Sequence, residues 1–214
     1  MTTEQKIEAI KDCIERAKNH QSKITSENMA VPGLVSISGR HLYNNLGAIS
    51  TKFCEVGSHL GCSYTSSVSG NSNLLTATAI DSFASDLTEE RQCMPIFLGN
   101  VEKFTPKETK FKFIHSDAFS FDINEIQGPV DYYIYDGGHA KIQQKMGITY
   151  YLPVMADQFI MVIDDFDWIE VQEGTREGIQ ESGLKILYEN VLLGNDHDND
   201  GAWNGYGIFL LEKQ

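Results

Sequence analysis

Ile7, Ile10, Ile14 and Ala17 recur at spacings of three, four and three with charged residues between them. That rhythm predicts an amphipathic helix from about Thr3 to Lys18, with one apolar stripe to lay on the domain or on a partner subunit. Residues 22–50 are richer in Ser, Asn and Gly and contain Val31-Pro32-Gly33, so they predict loop, with a second short helix from Arg40 to Ile49. Arg40, His41 and Tyr43 either reach the mouth of a ligand site or, from their polar or half-polar character, take a surface role. From Phe53 onward the pattern changes to short apolar runs: Phe53 to Val56, Leu74 to Ile80, Phe111 to Ile114, Asp131 to Tyr135 and Gln158 to Ile163. Between these five strands lie helical spans. One follows Gly61, one starts from caps at Ser85 or Asp86 and runs to about Val101 with a break near Pro95, and one runs from Ala140 to Tyr151 before Pro153. Strands alternating with helices predict a parallel sheet covered on both faces. The tail differs: after a helix over Gly174 to Gly183, strands at Lys185 to Leu192 and Tyr206 to Leu211 are joined without a helix, which makes them antiparallel neighbours.

Composition narrows the class. The 214 residues are 41% hydrophobic and 22% charged, the balance of one ordinary globular domain. A net charge of −13 repels phosphate backbones, so it points to a small or neutral partner and away from nucleic acid. Cys13, Cys54, Cys62 and Cys93 form no Cys-x-x-Cys pair, which suits reduced thiols in a cytoplasmic protein, and no run approaches the length of a membrane span.

The chemistry gathers where the strands end. The first strand carries Glu55-Val56-Gly57-Ser58-His59-Leu60-Gly61 and the second ends in Asp81. Glycines there let backbone N–H groups approach a ligand, and an acid at the tip of the next strand can accept hydrogen bonds from a ribose. Neither Gly-x-Gly-x-x-Gly nor the Gly-x-x-x-x-Gly-Lys phosphate loop is present, and Glu55 puts a carboxylate where a pyrophosphate would sit. A ligand with a cationic end fits better. The remaining strands deliver Asp117, Asp136 and the pair Asp164-Asp165 to the same edge.

Glu-x-Gly-x-x-x-Gly followed by an acid closing the second strand resembles the class I S-adenosylmethionine-dependent methyltransferases, over roughly Ser50 to Glu212. The resemblance implies a Rossmann-like, seven-stranded, mostly parallel α/β sheet with an antiparallel last strand and helices on both faces. Residues 1–50 would form an N-terminal helical cap on a methyltransferase-like domain at 51–214, one domain overall. It also implies S-adenosylmethionine held by Glu55, Gly57, Ser58, Gly61, Asp81, Ser82, Asp117, Ala118 and Asp136. Asp117 would lie against the adenine amino group, although as a residue it serves equally well as a turn acid.

Asp136, Asp164 and Asp165, from adjacent strands, would repel one another unless a cation or protons intervene, and all-oxygen ligation suits Mg²⁺. As residues, Asp164 and Asp165 serve equally as a helix cap. An acid after strand four and an acidic pair after strand five are similar to the metal-dependent O-methyltransferases of sugars and catechols, in which the metal acidifies the acceptor hydroxyl. His139, expected on the first turn of the following helix, matches the position of that branch's general base. It fits three roles: base, metal ligand or helix-terminus histidine. Asp196 to Gly201 begins like a calcium loop, but Gly207 stands where the EF-hand needs Glu, so it reads as a polar loop. Trp203 to Tyr206 either lines an acceptor pocket or packs the hairpin. The reading that results is metal-assisted O-methylation of a small-molecule hydroxyl, in a chain able to form a homo-oligomer. Two rivals stand beside it: a metal-dependent hydroxylase- or hydrolase-like member of the same fold, and a non-catalytic S-adenosylmethionine-binding module.

Overall fold

The structure is a computed structural model that describes residues 1–84, 90–194 and 201–214, with the backbone only at residues 90 and 91. Three helices precede the sheet: α1 (Thr3–Lys18), the single turn α2 (Ser26–Met29) and α3 (Ile37–Ala48). Then follow β1 (Lys52–Val56), α4 (Cys62–Val68), β2 (Thr76–Asp81), α5 (Glu90–Phe104), β3 (Lys110–His115) and β4 (Val130–Tyr135). The chain continues through α6 (Lys141–Thr149), β5 (Met155–Ile163), α7 (Ile169–Glu181), β6 (Lys185–Leu192) and β7 (Tyr206–Glu212). All seven strands join one sheet in the order β3-β2-β1-β4-β5-β7-β6. β1 to β5 pair in parallel, while β7 runs antiparallel to both β5 and β6. This is the expected Rossmann-like sheet, with its reversed strand inserted next to the edge.

Alternation along the strands sorts the core into two layers. Phe53, Tyr132, Ile134, Ile160 and Val162 face a cluster completed by α1, α3, α4 and α5. Cys54, Val56, Tyr133, Tyr135, Met161 and Ile163 face the other way, toward α6, α7 and the segment before β4. Glu55, Asp81, Asp136 and Asp164 continue the even or odd count of the first layer, so the strand-end acids point toward the side covered by α3 and α4.

Several boundaries moved for identifiable reasons. Ser36, whose hydroxyl accepts from the Gly39 amide, starts α3 a turn earlier than expected. Arg40, His41 and Tyr43 are buried, not superficial. The Arg40 guanidinium donates to the carbonyls of Met29, Val31 and Val35, which satisfies its donors inside and fixes the 31–35 loop. Pro95 does not interrupt α5. It sits in the second turn, where its missing N–H costs a single early bond. Gly174 lies inside α7 and is no boundary: a Cβ there would stand 2.3 Å from the Lys141 carbonyl, so glycine is what lets α7 approach α6. The proposed caps Ser85 and Asp86, and residues 196–200 of the calcium-like loop, lie outside the described residues. No described helix is long and apolar enough to cross a membrane.

Candidate functional site

The strand order reverses between β1 and β4, and a cleft opens beyond their carboxyl ends, as expected for an open α/β sheet. Its volume is about 590 Å³. Gly57 leaves β1 at φ +87°, and a Cβ on it would lie 1.9 Å from the Asp136 carbonyl oxygen. The Gly57 amide donates to Ile80 and the Asp136 amide to Val56, so the turn is pinned to β2 while β4 closes against it. Only a residue without a side chain fits. Gly61, at φ +86°, then opens α4.

Gly57, Ser58, Asp81, Ser82, Asp117, Ala118, Asp136, Asp164, Asp165 and His139 all line the cleft. Glu55 does not. It is fully enclosed behind the turn, and neither carboxylate oxygen has a hydrogen-bond partner. Burial pushes its pKa up to about 8; the Ser63 and Ser58 hydroxyls pull the other way, although neither completes a hydrogen bond to it here. Ser58 is itself buried with an unpartnered hydroxyl on the cleft wall. Gly61 stands behind the lining, packed toward Phe97.

Asp81 accepts from the amides of His59 (2.8 Å) and Phe83 (2.6 Å), both of which have positive φ. Its carboxylate thus holds the two loops that frame one end of the cleft. Asp117 Oδ1 caps a turn by accepting from Phe119 N and Ser120 Oγ, and the residue also lines the cleft.

At the other end, donor atoms of Asp136, His139 and Asp165 lie within 4.8 Å of one another. The set includes His139 where Asp164 was expected. Asp164 Oδ2 instead accepts from Tyr43 Oη at 3.2 Å, and Oδ1 accepts from the Asp165 amide at 2.8 Å. Asp165 adopts φ +54°, which swings its side chain out of the alternation of β5 and onto His139. Its Oδ2 meets His139 Nε2 at 2.9 Å, while Oδ1 accepts from Asn204 Nδ2 at 2.7 Å. Backbone strain of this kind is concentrated at such sites. His139 precedes α6, whose N-cap is Ala140, and so stands in a loop and not on the helix. The Asp165 hydrogen bond raises its pKa above the ordinary value. Burial raises the pKa of Asp136 well above the carboxylate range, and the charges of Asp164 and Asp165 add to this. Burial, then Asp165, bring Asp164 up to about 7. Three acids held so close favour either protons or a cation between them.

Several lining residues were not among those assigned to the site from the sequence. His59, Cys62, Gly33 to Val35 and Trp168 all contribute. Trp168 stands edge-on to His139 with ring centroids 4.7 Å apart at 88°. Trp203 and Asn204 line the cleft, whereas Tyr206 packs against Tyr43.

No family model matches the chain, and no curated protein matches it in sequence. Solved structures do match in shape. A proposed caffeoyl-CoA O-methyltransferase from Staphylococcus aureus superposes with a TM-score of 0.60 at 17% identity, over 92% of this chain and 91% of its own. TrmK of M. capricolum, bound to S-adenosylhomocysteine, gives 0.51 at 20% identity over 80% and 67% of the two chains. SMU.776, a proposed methyltransferase also solved with S-adenosylhomocysteine, gives 0.57 at 12% identity over 85% of this chain and 50% of its own. The fold is that of the class I methyltransferases. The chain spans about half the length of SMU.776. At these identities the likeness establishes the fold, and the chemistry rests on the residues.

Proposed function

We propose that the protein is an S-adenosylmethionine-dependent methyltransferase that methylates a hydroxyl of a small molecule with the help of a divalent cation. The observation that carries the reading is the Gly57 turn: a glycine required by backbone contact, at the sheet's switch point, beside buried and unpartnered Glu55 and Ser58 groups. Buried polar atoms without partners are uncommon and call for a ligand or water. Gly57, Ser58, Asp81, Ser82, Asp117 and Ala118 would hold the cofactor, with Glu55 behind them as a largely protonated support at neutral pH. S-adenosylmethionine supplies a methyl group on a positively charged sulfur, so the protein's main task is to align it with an acceptor oxygen.

Asp136, His139 and Asp165 offer two oxygen donors and one nitrogen, a mixed set open to Mn²⁺ as well as Mg²⁺. A cation held there would lower the pKa of an acceptor hydroxyl. One observation favours a second reading of the same group. The 2.9 Å bond between His139 Nε2 and Asp165 is the arrangement of a base oriented by a carboxylate, which would take the acceptor proton at Nδ1 without a metal.

Calorimetric titration with S-adenosylhomocysteine, with and without Mg²⁺ or Mn²⁺, tests the proposal. Micromolar binding is expected, and Asp165→Asn should weaken the metal at least tenfold while leaving S-adenosylhomocysteine within a few-fold. No S-adenosylhomocysteine binding up to a millimolar refutes the methyltransferase; transfer that survives metal removal but not His139→Ala selects the second reading.

A further inference from the structure

The cleft is lined by Asp81, Asp117, Asp136, Asp164 and Asp165, and among its described lining residues there is no lysine or arginine. Two described cations on neighbouring elements are committed elsewhere. Arg40 is buried behind the 31–35 wall with its donors on three carbonyls, and Lys141 is paired with Glu173 and Glu177 on α7. Of the two lining histidines, His59 has its pKa lowered by burial, and His139 is held by Asp165 at 2.9 Å. An acceptor carrying phosphate or carboxylate would therefore meet acids and no lysine or arginine among the described lining residues, in a partly desolvated site.

The mouth supplies a different kind of contact. The chain has two tryptophans, Trp168 and Trp203, and both line this cleft. Trp168 is 46% exposed and Leu34 is 55% exposed, unusually open for such large apolar groups. Indole faces beside carboxylates bind ammonium groups and flat apolar bodies and offer nothing to an anion.

From this arrangement, and resting on the methyltransferase reading, we propose that the cleft selects a neutral or cationic hydroxyl compound that carries no phosphate or carboxylate, with Trp168 as the wall on which its apolar body packs. The class excludes coenzyme A thioesters and polynucleotides, although the fold is shared with a proposed caffeoyl-CoA enzyme.

The test uses the full chain saturated with S-adenosylhomocysteine and Mg²⁺, titrated by calorimetry with diols of matched shape. The probes are 3,4-dihydroxyphenethylamine, neutral 4-methylcatechol, 3,4-dihydroxybenzoate and caffeoyl-CoA. The amine and the neutral diol should bind at least tenfold more tightly than the benzoate and caffeoyl-CoA. The amine's margin over the benzoate should shrink as salt rises. Trp168→Ala, at an exposed position, should weaken the first two about fivefold or more and leave S-adenosylhomocysteine within twofold. Equal or tighter binding of the benzoate or caffeoyl-CoA, or no binding of any diol, overturns the inference while S-adenosylhomocysteine binding keeps the methyltransferase reading intact. Failure to bind S-adenosylhomocysteine overturns that reading instead.

Discussion

Gly57→Ala, set against Gly183→Ala, separates backbone strain from collision. Both glycines have positive φ, +87° and +63°. At Gly183 a Cβ would meet nothing within 4 Å, whereas at Gly57 it would lie 1.9 Å from the Asp136 carbonyl oxygen and 2.6 Å from its carbon. An L-residue in the left-handed region costs about 1–2 kcal/mol. Overpacking that forces backbone to shift adds about 1–3 kcal/mol. The expectation is therefore about 1–2 kcal/mol for Gly183→Ala and about 2–5 kcal/mol for Gly57→Ala. In a domain of this size each kcal/mol lowers Tm by about 2–4 °C. Thermal denaturation of the two variants side by side reads the difference. Calorimetry with S-adenosylhomocysteine reads the second consequence, because relief of the clash must move Asp136 away from the cleft's floor. Gly57→Ala should lose at least tenfold in affinity, and Gly183→Ala should lose none. Equal losses of Tm in the two variants, with unchanged affinity in both, would refute the claim that close approach to β4 is what requires a glycine at 57.

Further outcomes follow from the same packing. Glu55 has an ordinary pKa of 4.5 and a folded value near 8, so between those limits the folded state holds a proton that the unfolded state releases. Its contribution to stability therefore falls as pH rises through that window, by up to about 1.4 kcal/mol per unit. Glu55→Gln should flatten the slope and make the ligand-free protein more stable than wild type at pH 8 in urea titrations; an unchanged slope would count against a protonated Glu55. Tyr43→Phe removes the hydroxyl that donates to Asp164 and should cost about 1–3 kcal/mol by chemical denaturation. Arg40→Ala leaves the carbonyls of Met29, Val31 and Val35 without their donor and should cost about 2–4 kcal/mol, and Arg40→Lys should recover only part, since one ammonium cannot reproduce the planar fork.

What the chain's pattern revealed and what it hid have physical causes. Short apolar runs located the strands because those at the centre of the sheet are buried on both faces, and the lack of a helix between β6, which is half-exposed, and β7 made their antiparallel pairing legible. The strand-end acids were visible because a sheet delivers strand ends to one edge. Their individual orientations were not visible, because they depend on single backbone torsions. The φ of +54° at Asp165 joins it to His139, and Tyr43, from a helix more than a hundred residues earlier, draws Asp164 away. Gly174 looked like a terminus because sequence does not distinguish a glycine that ends a helix from one that lets two helices touch. The burial of Arg40 was hidden for a related reason, since its partners are backbone carbonyls that every residue carries.

The position of β7 has a consequence for how the chain is made. β6 is synthesised first but borders only β7, and β7 lies between it and β5. As the polypeptide emerges from the ribosome, β6 has no place in the sheet and the open edge of Phe159 to Ile163 stays uncovered. Both gain their partner in one late step, when the stretch ending at Glu212 threads between them. Until then the nascent chain carries two strands with free backbone edges, one of them strongly apolar, the condition in which neighbouring chains pair wrongly. The antiparallel strand thus closes two open edges at once.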